Sequence, residues 1–189
     1  MHPVEVLLTP LGRAFRNRHA DEASSIANAP ELVTPNRIEL TSPSFGDGQT
    51  IPAKHCGRFI GQDVSPAFTC GPLPEGTLDL VLVMEDLNSP GSRPRIHTVA
   101  AFAPDGGGLA EGALSEDGPG IRFLPGRRGP GHYAGPRPLP GHGPHHYRFH
   151  LYALDRPVDL TQVADAEQLP AALAGHVLAS GMLTGTRTS

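Results

Sequence analysis

The sequence predicts an antiparallel β core with peripheral helices. Three observations carry this. Residues 145–155 alternate Tyr147, Phe149 and Leu151 on one side against Arg148, His150 and Tyr152 on the other, the period of a strand. Two further β-rich runs, 77–86 and 95–104, are bounded by Pro and Gly. Helix-like spacing is confined to the two ends of the chain, and no internal repeat breaks the order.

The elements follow in chain order. Val4, Leu7, Leu8, Leu11 and Phe15 form one apolar helical face, and Pro10 sets the expected helix start near Thr9. Residues 21–36 are turn-rich, so 1–36 reads as a helical arm packed on the main body or on a second subunit. From residue 37 the pattern changes: 37–42 alternates as a half-buried strand, and 45–52 contains an Asp-Gly turn. Residues 104–144 are too rich in Gly and Pro for regular elements and too long for an ordinary loop, which marks them as functional. Leu169, Leu173, Val177 and Leu178 predict a C-terminal amphipathic helix over 168–179.

Composition limits the function. With 189 residues the chain is one domain's length and needs no staple to fold. Its 23 Gly and 21 Pro beside 38% hydrophobic residues describe a loop-rich globular domain. A net charge of −4 with no basic stripe argues against a nucleic-acid partner. No run reaches the ~18 apolar residues of a membrane span. Cys56 and Cys70 match no zinc or redox motif, and a disulfide between them would need an oxidising compartment; with no leader pattern read in the first residues, the expectation is a soluble cytoplasmic protein with reduced thiols.

Candidate chemistry gathers at strand ends. Asp86 closes one apolar run and His97 opens the next, so neighbouring strands would bring carboxylate and imidazole together. The later loop adds His132, Tyr133, the Gly135-Pro136-Arg137-Pro138 turn and His145. Such a set can hold an anion through imidazoles and backbone N–H groups while Asp86 orients a His. His132, His142, His145, His146 and His150 do not converge as zinc ligands should, since neighbours on a strand face opposite ways, so no metal and no cofactor is expected. Ser42, Ser44 and Ser65 lie in no nucleophile-elbow sequence. Arg127 and Arg128 read as a solvated pair able to guide an anion.

Taken together, these motifs resemble the phosphatidylethanolamine-binding proteins, a family that includes Raf kinase inhibitor protein and a large bacterial branch. The likeness runs from about Arg37 to Gly185 and rests on Asp86-Leu87-Asn88-Ser89-Pro90, on His97, on Gly135-Pro136-Arg137-Pro138, on His145-His146-Tyr147 and on the run 149–155. It implies that 37–189 forms an antiparallel β sandwich with flanking helices and a pocket for a small anion or phosphate-bearing group. The bacterial branch implies a homodimer. The matching pocket positions are Asp86, Asn88, Pro90, His97, Tyr133, Gly135, Pro136, His145 and Tyr147. The chain departs from the family at Asn88, where an Asp is usual, and at Thr98 and Cys70, where Trp is usual; a wider pocket mouth is the expected consequence.

Three functions fit this reading. The first is a small-ligand-binding protein. The second is an enzyme of specialised metabolism, a cyclase, isomerase or lyase, with His97, Asp86 and His145 in acid–base roles on a small organic substrate. The third is a regulatory module that binds another protein.

Overall fold

The computed structural model describes residues 3–115, 118, 120–125 and 132–189, with side chains from residue 6 onward. Arg127 and Arg128 lie outside the described residues. The strands are β1 (Leu40–Thr41), β2 (Phe68–Cys70), β3 (Asp79–Asp86), β4 (Arg95–Phe102), β5 (Gly108–Leu109), β6 (Arg122–Phe123), β7 (His145–Leu154) and β8 (Val177–Arg187). The helices are α1 (Pro3–Phe15) and the short α2 (Leu169–Leu173). They form a mostly β structure with two antiparallel sheets, one in the order β1-β2-β5 and one in the order β6-β4-β3-β7-β8.

Strand β3 is the centre of the larger sheet, and all eight of its residues are buried. Its continuous apolar run is explained by burial on both faces. Leu80, Leu82 and Met84 face the small sheet, where they join Phe68, Tyr147, Phe149 and Leu151. Val81 and Val83 face the other way, toward Ile26, Leu32, Tyr152, Leu160 and Leu169. The alternation of β7 is as expected, with Tyr147 and Phe149 in one core and Tyr152 in the other.

Several elements differ from the sequence expectation. The helix expected over 168–179 ends at Leu173, and Val177 begins a long strand paired with β7 from His145↔Arg187 to Leu154↔Val177. Gly175, at φ 76°, turns the chain between them, a conformation only glycine adopts cheaply. Helix α1 begins six residues before Thr9 and runs through Pro10. Pro10 lies on the exposed side, where water can serve the carbonyl it leaves unbonded. The 104–144 stretch is not structureless, because β5 and β6 add short edge pairings to β2 and β4. Cys56 and Cys70 are free and buried.

The described part of the expected arm packs on the main body, through Ser25 and Ile26 among others. After α1 it crosses the large sheet as 3-10 turns at Glu22–Ser24, Ile26–Asn28 and Pro30–Leu32. Glu85, 1% exposed, ties it down. This carboxylate accepts from Ser25 Oγ at 2.7 Å, from the Ile26 N–H at 2.9 Å and from His150 Nε2 at 2.9 Å. Burial pushes the Glu85 carboxyl up, but the bonds from His150, Ile26 and Ser25 and the charge of His150 outweigh it and hold the group below its usual value.

A depressed folded-state pKa contributes stability above the unfolded value of about 4.3 and loses it as pH falls through the folded value. Glu85→Gln is therefore expected to flatten the loss of unfolding free energy below pH about 4.3, read by urea denaturation across an acid pH series.

Candidate functional site

The ends of β3, β4 and β7 meet at one rim of the large sheet. Asp86 closes β3 opposite Arg95 on one side and Tyr147 on the other. Between Met84 and Glu85 the β3–β4 register shifts, so that Met84 pairs Thr98 and Glu85 pairs Ile96. His97 is the extra residue of this bulge, which re-aims its ring toward the rim. The rim closes with two loops, 57–63 and 134–140. Their backbones meet where the Gly57 N–H donates to Pro136 O and the Gly135 N–H donates to Asp63 Oδ1. A Cβ on Gly135 would stand 2.4 Å from His55 O, so the loops close this tightly only with glycine.

These parts enclose a cavity of about 610 Å³, lined among others by Asp86, Pro90, His97, Gly135 and His145. Five of the nine expected pocket residues thus share one hollow. The other four sit around it. Asn88 Oδ1 accepts from the His146 N–H and bonds His146 Nδ1, both at 2.8 Å. Tyr133 is buried behind the loops and donates its hydroxyl to His55 O at 2.7 Å. Pro136 accepts from Gly57. Tyr147 lies beneath the rim, its ring 5.5 Å from His97 and 6.2 Å from His145. Burial pushes both tyrosine hydroxyls well up, which keeps them protonated.

Sequence reasoning missed much of the lining. The 57–63 loop supplies Arg58, Phe59, Ile60 and Asp63; β4 supplies Arg95, and α1 supplies Leu8. Two of these residues carry backbone strain, Phe59 at φ 83° and Asp63 at φ 60°. The expected widening at Thr98 and Cys70 is not found at this cavity. Thr98 is buried in β4, and Cys70 packs in the core between the sheets, so neither lines the mouth.

The imidazoles have distinct hydrogen-bond roles. His145 Nδ1 faces both Asp86 oxygens, at 2.9 and 2.8 Å, and its Nε2 meets His142 Nδ1 at 2.8 Å. His142 Nε2 in turn donates to Arg18 O at 2.9 Å. The Asn88 N–H also donates to Asp86. Both nitrogens of His145 are therefore committed, and the Gly135 N–H is taken by Asp63. Of the expected anion donors, His145 and the Gly135 N–H are already engaged.

His97 differs. Its Nδ1 donates to Ala134 O at 2.8 Å, while its enclosed Nε2 has no partner. Burial pushes this imidazole below its usual value, against the bond to Ala134 and the charge of Asp86. The ring is thus held neutral, with an unpartnered lone pair on Nε2, in a residue that lines the cavity. Positive charge comes from Arg58, Arg95 and Arg137, the last lying 5.9 Å over the Phe59 ring. Three arginines and His97 thus line the same cavity.

Comparison with known proteins agrees with this architecture. The family model described as phosphatidylethanolamine-binding protein matches residues 41–188. UPF0098 protein PH1269 of Pyrococcus horikoshii is 34% identical over 149 residues, covering 76% of this chain and 73% of the relative. LppC of Mycobacterium tuberculosis is 33% identical over 165 residues, covering 87% of this chain and 77% of LppC. A crystal structure of a phosphatidylethanolamine-binding protein homologue from Chlamydia trachomatis superposes with a TM-score of 0.66 at 30% identity, over 82% of this chain and 99% of that one. Escherichia coli YbcL shares the fold, with a TM-score of 0.72 at 23% identity over 81% of this chain and 99% of its own. The chain belongs to the phosphatidylethanolamine-binding protein family. Among the described residues, no helix is long and apolar enough to cross a membrane.

Two outcomes are expected. Long-range ¹H–¹⁵N NMR at pH 7 finds His97 as the neutral Nδ1–H tautomer with a midpoint below about 6.5, so its contribution to stability is present above that pH and is lost as pH falls through the folded value. His142→Ala leaves His145 Nε2 and the Arg18 carbonyl without their partner, costs about 1–3 kcal/mol in urea unfolding, and raises hydrogen exchange around Arg18.

Proposed function

We propose that the protein binds a small, partly protonated anion, phosphoryl groups above all, in the cavity between Asp86 and the 134–140 loop. The carrying observation is that His97, whose Nε2 has no partner, lines one cavity together with Arg58, Arg95 and Arg137. The arginines attract the charge, and bidentate guanidinium contacts suit phosphoryl oxygens. His97 then accepts the remaining hydroxyl of a monoprotonated anion. Asp86 and His145 do not touch the ligand's charge directly; they lock the β3 and β7 ends into a fixed wall. Leu8, Phe59 and Ile60 add an apolar side, which suits a phosphoryl group carried on an organic body.

The same lone pair favours one alternative. An enzyme of specialised metabolism would use His97 Nε2 as its general base, because it is the cavity imidazole with a free nitrogen. Asp86 and His145 would then act by position.

Titration calorimetry with inorganic phosphate tests the binding reading. Saturable binding is expected, weakened at least about tenfold by Arg95→Met and by Arg137→Met, equivalent to about 1.4 kcal/mol, and weakened further by added salt. Absence of saturable heat from the wild-type protein would refute it.

A further inference from the structure

A second cavity, of about 510 Å³, opens on the opposite face of the large sheet. Its size suits a small organic molecule, for which pockets of about 300–1,000 Å³ are usual. Its floor comes from the outward-alternating residues of β7, namely Arg148, His150 and Tyr152, and from Ser180 and Met182 of β8. The arm closes it from above with the segment between Ala27 and Ile38. None of these residues borders the first cavity.

Tyr152 is 2% exposed, lines this cavity, and its enclosed hydroxyl has no hydrogen-bond partner. Burial, with the Glu85 charge, pushes that hydroxyl well up, so it remains a donor. A buried donor without an acceptor is costly and uncommon in a native fold. Arg148 repeats the pattern, because its Nε is enclosed without a partner while its outer nitrogen reaches the exposed Glu22 at 2.8 Å. The Arg37 side chain donates to the Ser180 hydroxyl at 2.9 Å, and among the described residues it forms no ion pair. The nearest buried carboxylate, Glu85, is already served by three donors. Among the described residues the Tyr152 hydroxyl and Arg148 Nε thus lack an acceptor, and Arg37 meets only a neutral hydroxyl, in residues that line one hollow.

The remaining wall is apolar, with Leu32 and Ile38 inside and Val33 and Met182 at the exposed edge. We propose that this cavity is a second binding site, for a small organic monocarboxylate whose charge meets Arg37 and Arg148 and whose apolar body lies along Leu32, Ile38 and Met182. A single negative charge suits the hollow better than a dianion, because the Glu85 carboxylate stands just beyond Tyr152. The ligand carboxylate takes the phenol's hydrogen bond and competes with the surface residue Glu22 for Arg148. The site is independent of the anion cavity and does not rest on the function proposed for it.

Calorimetric titration with sodium octanoate tests this on the full chain. The wild-type protein is expected to bind it saturably. Arg148→Met and Arg37→Met should each weaken binding at least about tenfold; Arg37 is exposed and its replacement leaves the core intact. Tyr152→Phe should bind octanoate more weakly, yet melt at a higher temperature than the wild type when no ligand is present, because the stranded hydroxyl is gone. Arg95→Met, in the first cavity, should leave octanoate binding unchanged. The proposal falls if the wild-type protein does not bind octanoate saturably. It falls equally if Arg95→Met removes the binding while Arg37→Met does not, since the carboxylate would then occupy the anion cavity.

Discussion

Two consecutive buried carboxylates at the end of β3 constrain everything around them. Neighbours on a strand face opposite ways, so Glu85 and Asp86 enter opposite faces of the sheet. An ionised carboxylate at 1% or 4% exposure is tolerable only when donors surround it. Strand β7 supplies an imidazole to each: His150 reaches Glu85 at 2.9 Å and His145 reaches Asp86 at 2.8 Å. Backbone N–H groups of Ile26 and Asn88 complete the two shells. A one-residue slip of β7 against β3 would send both imidazoles to the wrong faces and strand two charges. The register that places the cavities is therefore enforced by charge as well as by apolar packing.

The two carboxylates also bind the arm to the body by separate routes. Glu85 holds Ser25 and Ile26 directly. Asp86 acts at a distance, through His145 and His142 to the Arg18 carbonyl. Near that string, α1 lies so close to the 140–141 turn that a Cβ on Gly12 would stand 1.9 Å from Pro140 O. The arm is thus part of both cavity walls, giving Leu8 to one and the segment from Ala27 to Ile38 to the other.

The sequence made the sheet legible where one strand carries two different faces. β7 could be read because its outward positions hold Arg148 and His150 while its inward ones hold Tyr147 and Phe149. β8 could not, because Leu169, Leu173 and Val177 fall at helical spacing. Its true signal is the small or apolar set Ala179, Gly181, Leu183 and Gly185 at period two. These glycines permit close approach, since a Cβ on Gly181 would stand 2.5 Å from Ile38 O. At the site, Asp86, His97 and His145 were legible as strand-end residues of the right chemistry. The arginines of the 57–63 loop and of β4 were not, because an arginine in a polar loop looks the same whether it faces water or a cavity. The pairing of Glu85 with His150 was equally hidden, for it depends on register across 65 residues of sequence.

This division between enforced register and free loops explains how one framework can serve different ligands. The β3–β7 ladder and its two imidazole–carboxylate pairs cannot be altered without stranding a buried charge. The surfaces that line the two cavities come largely from elsewhere: the 57–63 loop, the bulge at His97 and the 134–140 loop on one face, and the arm on the other. The bulge is the exception within the ladder, since it frees one residue of β4 from the alternation and turns its imidazole toward the hollow. Because His97 spends its Nδ1 proton on Ala134, its role in the cavity is set by a single backbone carbonyl. The tautomer that leaves Nε2 as the acceptor is thus fixed by the 134–140 loop and not by the sheet.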